Sequence, residues 1–217
     1  MQAIKKIASR IGTQTVGPLV DLFCNLNAEG MKRRDIISFL TAHTTGKDAG
    51  KNIKAITTAV DIYEKVAKLV GILKVSGLDE NTAWAVAGLA ISQKIRRTHI
   101  NPTDLKKICY DLEITIPLSV LIAKKIVHFD GAKYALDREL YRLCASRLPK
   151  RGVLYMVWGK GEQLESKILS YIKKKKMVSE KDLILKFGGG QDIFDAIDSL
   201  SEKGLIIQPK PRFYKAI

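Results

Sequence analysis

The sequence predicts a mostly α protein in three parts. These are a multi-helix bundle over 1–130, a basic helical connector over 131–160, and a C-terminal module over 161–217 whose three helices are closed by a small β-hairpin. Three observations carry this. Apolar residues recur at i, i+3, i+4 and i+7 through most of the chain, the spacing that places them on one stripe of a helix. The segment Thr82–Ile95 is apolar on nearly every side, so it belongs at the centre of a bundle. Strict alternation is confined to the last dozen residues, around Leu205, Ile207 and Phe213.

In order along the chain, Ile4, Ile7, Ala8 and Ile11 form a first amphipathic helix ending at Gly12. A second runs from about Val16 to Leu26, with Pro18 tolerated in its first turn. After Gly30, Met31, Ile36, Ile37, Phe39 and Leu40 mark a third, led by the exposed trio Lys32, Arg33 and Arg34. His43–Asn52 is polar and predicts a loop. It is not a phosphate loop, because Thr41 stands where the first glycine of GxxxxGK[ST] belongs and Asp48 follows Lys47. A long helix is expected from Ile53 to Val75. Asp79 or Asn81 caps the apolar central helix, and small residues such as Ala83, Ala87 and Gly88 permit close approach of its neighbours.

Asn101-Pro102 starts the next helix, and Pro117 a further one read through to Phe129. Helix, short connection, helix is helix-turn-helix-like, although the second helix carries an apolar seam and offers only Ser119, Lys124 and Lys125 to a polyanion.

In the C-terminal module, Leu164, Ile168, Tyr171 and Ile172 give one helix, closed by Lys173–Lys176, where positive charge suits the dipole's negative end. Ser179, three residues before Asp182, is an N-cap signature for a second helix stopped by Gly188–Gly190. A third presents Ile193, Ala196, Ile197 and Leu200 inward and ends at Gly204. A hairpin turning at Pro209-Lys210-Pro211 follows. This order resembles a winged helix. In that fold the third helix usually enters the major groove. Here its outward face is read as Asp192, Asp195, Ser199 and Glu202, whose carboxylates oppose a phosphate wall. Any DNA contact therefore falls to the wing: Lys210, Arg212, Tyr214 and Lys215.

The stretch from Tyr63 to Val127, with its small-residue helix, the basic corner Lys94-Ile95-Arg96-Arg97 and PTDLKKICYDLEITIPLSVLIAKKI, resembles a cyclin-type repeat of the transcription factor B family. IKKIASRIG and AEGMKRRDIISFLTA are similar to parts of another such repeat, so the likeness covers roughly 1–130. It implies a five-helix fold that clamps promoter DNA, with contacts at Arg96, Arg97, Lys124 and Lys125. The zinc ribbon with which that family begins has no counterpart here.

A formal net charge of +15 creates a field that attracts polyanions. In the connector, Arg138 and Arg142 lie one turn apart and Arg147, Lys150 and Arg151 follow, a spacing suited to successive phosphates. Tyr155 and Trp158 are candidates for stacking or for packing between domains.

No GxSxG, HExxH, Rossmann glycines or paired metal carboxylates occur, so an enzyme, a cofactor and a metal site are not expected. The cysteines Cys24, Cys109 and Cys144 sit among apolar neighbours and read as free thiols. Apolar runs are too short for a membrane span and the N-terminus lacks a secretory region, so a cytoplasmic location is expected. The functional expectation is a duplex-DNA-binding protein of transcription or replication control. The alternatives are an adaptor that docks a basic protein on Asp192, Asp195 and Glu202, or an RNA-associated factor.

Overall fold

The protein is described by a computed structural model covering residues 1–159, 161–188 and 191–217, with the side chains of 161–163 and 191–192 outside the description. It is mostly helical, with two small antiparallel sheets. The chain divides into two units, Met1–Val157 and Trp158–Ile217. Residues 131–157, most of the stretch read as a basic helical connector, fall within the first.

The first unit opens with α1 (Gln2–Ile11), α2 (Val16–Ala28), α3 (Arg33–His43) and α4 (Ala49–Val75). Helix α4 starts one turn earlier than its apolar period predicts, taking in part of the polar stretch read as a loop. Buried Asn52 on that added turn explains it: its Oδ1 accepts from the Thr13 backbone N–H at 2.9 Å and its amide reaches the Thr15 hydroxyl, tying α4 to the α1–α2 link. Helix α5 (Glu80–Arg96) is capped by Asp79, which accepts from Thr82 N–H, and it is buried along nearly its whole length. It packs on α4, α6 (Pro102–Leu112) and the later helices α8 (Arg138–Arg147) and α9 (Arg151–Leu154). Across this core α1 is fastened to α6 by a buried Arg10–Asp111 pair and by Lys6, 2.9 Å from Glu113.

The sequence and structure part at Pro117. Helix α7 covers only Leu118–Ala123, and the chain then turns into β1 (Val127–Phe129), which pairs with β2 (Tyr134–Leu136). The break is Lys125, held at φ +58, whose N–H and that of Ile126 return to the carbonyls of Ile122 and Leu121. That closure satisfies the helix's last acceptors and aims the chain into a strand. His128, inside the stretch read as helix to Phe129, therefore lies on a strand.

A π-helical turn at Tyr155–Gly159 carries the chain across the boundary into the second unit. There α10 (Gly161–Lys175), β3 (Val178–Ser179), α11 (Glu180–Phe187), α12 (Gln191–Glu202), β4 (Ile206–Lys210) and β5 (Phe213–Ala216) follow in order. The sheet order is β3-β5-β4. The expected hairpin is present, with an additional short strand on its inner side. Ser179 and Asp182 form a full capping box, and Gly204 takes φ +64. Ile168, Ile172, Leu183, Ile197, Leu200 and Ile206 build the core. Burying each such side chain contributes roughly 1.5–3 kcal/mol.

Candidate nucleic-acid interface

The second unit carries a cationic surface built by local sequence. Lys173–Lys176 close α10 and all four are exposed. They lead directly into β3, so β-pairing brings them to the hairpin: Val178 lies opposite Tyr214 and Ser179 opposite Phe213. The hairpin turn differs from the sequence reading. Lys210 pairs with Phe213, which moves the turn to Pro211-Arg212, with Arg212 at φ +60 on its tip. Arg212 and Lys215 are exposed, and Lys210 Nζ lies 4.3 Å above the Phe213 ring.

Tyr214 corrects the sequence assignment. Alternation along β5 turns it inward, and it is 8 % exposed within the module core. Its hydroxyl sits 3.4 Å from Glu180 Oε2. Burial, then the Glu180 charge, raises its pKa above the ordinary tyrosine value. A ring in that position offers no face to a base.

Helix α12 is acidic on its outer side, as read, but its phase is shifted. Ser199 is buried and Asp198 takes the exposed place beside Asp195 and Glu202. The Asp192 side chain lies outside the described residues. Lys203 reaches back to buried Glu165 of α10, consuming one cation at that end.

In the first unit the predicted basic residues separate into two groups. Arg96 is engaged internally: its Nε and Nη2 donate to Asp104 at 2.6 and 2.9 Å, with side-chain exposures of 12 % and 1 %. Lys94 is likewise turned inward onto the Ala145 and Leu148 carbonyls, closing the end of α8, and desolvation lowers its pKa. Arg151 donates to Ile95 O at 2.8 Å and covers the Tyr155 ring, joining α9 to α5. The charge pattern alone did not distinguish these anchoring roles from phosphate contacts. Trp158, one of the two stacking candidates, is fully buried.

Arg97, Lys124, Lys125, Arg138, Arg142, Arg147 and Lys150 are exposed. Arg142 meets Glu139 at 2.8 Å, a solvated pair worth little and readily exchanged for phosphate. Arg147 bends back to Leu143 O and Ser146 Oγ. Sequence reasoning missed the β1–β2 tip, where Lys133 is exposed and Phe129, 51 % exposed, stacks on Tyr134 at 4.6 Å. Its signal was the Asp130-Gly131 pair, a turn signature inside a stretch read as helix end and connector.

Among the described residues, no group of His, Cys, Asp and Glu is placed to hold a metal ion, and no helix is long and apolar enough to cross a membrane. No protein-family model, curated protein or solved structure matches the chain.

Proposed function

We propose that the protein binds duplex DNA through the basic hairpin face of its C-terminal unit, read as a winged helix, and acts in transcription or replication control. The observation that carries this reading is that Lys173–Lys176, Lys210, Arg212 and Lys215 are exposed and hold no ion pair among the described residues. Cations left without acidic partners are available to displace counterions from a phosphate backbone. The acidic outer side of α12 keeps that helix out of a groove, so contact is made by the wing and sequence selectivity is modest. A cyclin-type reading of the first unit rests on its buried central helix α5, and the proposal does not depend on it.

The test is a titration of the full chain with random-sequence duplex DNA at several salt concentrations. Affinity should fall steeply, with a log–log slope near −0.9 for each phosphate contact, and Arg212→Glu/Lys215→Glu should flatten it by about two. Equal affinity at low and moderate salt refutes the proposal, and preferential competition by structured RNA would move the ligand to RNA. The outward carboxylates Asp195, Asp198 and Glu202 favour one second reading, an adaptor for a basic protein. Their replacement by alanine leaves DNA binding unchanged or tighter under the first reading and abolishes partner binding under the second.

A further inference from the structure

We infer that residues 80–137 repeat the module formed by residues 161–217, and that the β1–β2 hairpin is a second basic wing for the same class of ligand. The functional half of this inference rests on the nucleic-acid reading above. The architectural half rests on paired hydrogen bonds and dihedral angles within each unit.

Each stretch opens with a helix, α5 or α10, that packs against the last strand of its own hairpin, β2 or β5. Each then makes a short bridge to that strand, and the residue opposite is a tyrosine both times: Ile100 pairs with Tyr134, and Val178 with Tyr214. Ile100 and Val178 are both buried. Each immediately precedes the cap of the second helix, and each cap accepts the N–H of an aspartate three residues on: Asn101 from Asp104 at 3.0 Å, Ser179 from Asp182 at 3.2 Å.

The third helices end on one pattern. Lys125 and Ile126 donate to Ile122 and Leu121, as Gly204 and Leu205 donate to Ser201 and Leu200. The strands that follow begin with a buried residue, Val127 or Ile206. Each hairpin is closed at its base by a matching bond, Asp137 N to Ile126 O at 2.9 Å and Ile217 N to Leu205 O at 3.2 Å.

The sign of φ agrees at matching junctions, although Glu113 (ψ 42) and Gly188 (ψ 165) differ in ψ. Positive φ occurs after the first helix at Arg97 (+75) and Lys176 (+65), and after the second at Glu113 (+58) and Gly188 (+97). It recurs after the third at Lys125 (+58) and Gly204 (+64), and at the hairpin tip at Gly131 (+89) and Arg212 (+60). Every non-glycine residue with positive φ among the described residues is thus a junction of one of the two modules. An L-residue held there costs roughly 1–2 kcal/mol, so the coincidence reflects a shared backbone path.

The two copies differ in the third helix, six residues in α7 and twelve in α12. A helix of that length cannot span a groove, and the longer one is acidic, so in both copies the hairpin is the element left for DNA. The first hairpin has the charge for it. Lys124, Lys125 and Lys133 are exposed and hold no ion pair among the described residues. The acids beside them are held by local bonds: Asp79, near Lys124, caps α5; Asp130 accepts from Ala132 and Lys133 N–H in the turn; and Asp137 caps α8.

The experiment compares the full-length protein with Lys124→Glu/Lys133→Glu and Arg212→Glu/Lys215→Glu in salt-dependent anisotropy titrations on random-sequence duplex DNA. Lys124→Gln/Lys133→Gln serves as the milder variant, and circular dichroism melts confirm folding. Each pair should make the slope shallower by about 1.8, at 0.9 per lost phosphate contact. If only the Arg212/Lys215 change alters the slope, the second wing is refuted and the C-terminal reading stands. If the unaltered protein shows no salt dependence, both fall.

Discussion

Replacing Asp104 by alanine removes the carboxylate that Arg96 grips with two bonds while leaving its guanidinium inside the first unit. The pair makes two charge-assisted bonds, 2.6 and 2.9 Å, with exposures of 12 % for the arginine side chain and 1 % for the aspartate. Breaking one half of a buried pair costs roughly 3–5 kcal/mol, because the remaining charge is stranded. Residual exposure lets water reach part of Arg96, which places the expected loss near the lower end, about 3 kcal/mol. With a urea m-value of about 2 kcal/mol/M, the midpoint should fall by about 1.5 M. The double change Arg96→Met/Asp104→Leu removes both charges and should recover most of that loss. Urea unfolding followed by circular dichroism reads all three proteins. An Asp104→Ala loss below about 1 kcal/mol would show that Arg96 is solvated without the Asp104 carboxylate and able to meet a phosphate instead.

Acid should destabilise the protein through its helix caps. Asp79 is held below the ordinary carboxylate range by the Thr82 hydroxyl and N–H, Asp137 by the N–H groups of Leu140 and Glu139, and Asp182 by Ser179. A depressed folded pKa gives stability that is complete above the unfolded value of about 3.9 and is lost as pH falls through the folded values. Urea midpoints should therefore be flat from neutrality down to that value and drop below it, and the triple asparagine variant should show a shallower acid limb. A midpoint that rises on acidification contradicts the assignment. The shared third junction gives opposite signs at its two occurrences: Gly204→Ala should cost about 1 kcal/mol, whereas Lys125→Gly should gain about 0.5 kcal/mol, by thermal melts.

Features written in neighbouring residues were legible. The Ser179/Asp182 box, the Asp79 cap, Asn101-Pro102 and Gly204 each depend on partners three or four positions away, and each occurs as read. Helix α5 was legible because an all-apolar surface has no other place to go. The run Leu118–Val127 was not. A short apolar stretch fits helix or strand equally, and the residue that ends α7 is Lys125, a left-handed position without its usual glycine. At the site, exposure could not be read from charge. Arg96 and Lys94 share the composition of their solvent-facing neighbours and differ only in what the fold places beside them, and exposed Arg151 differs only in its bond to the Ile95 carbonyl. The repeated module is not legible at a fixed period, because the interval between equivalent positions varies from 75 residues (113 to 188) to 81 (131 to 212).

The bond between Arg10 and Asp111 spans 101 residues of chain. While the protein is being synthesised, the amphipathic first helix lacks the Asp111 carboxylate for its buried arginine until α6 has left the ribosome. The C-terminal sixty residues face no such delay, since their most distant strand and helix partners all lie within their own span. Completion of the amino-terminal core should thus be the slower, more aggregation-exposed event in the life of a nascent chain, although its first residues are made earliest.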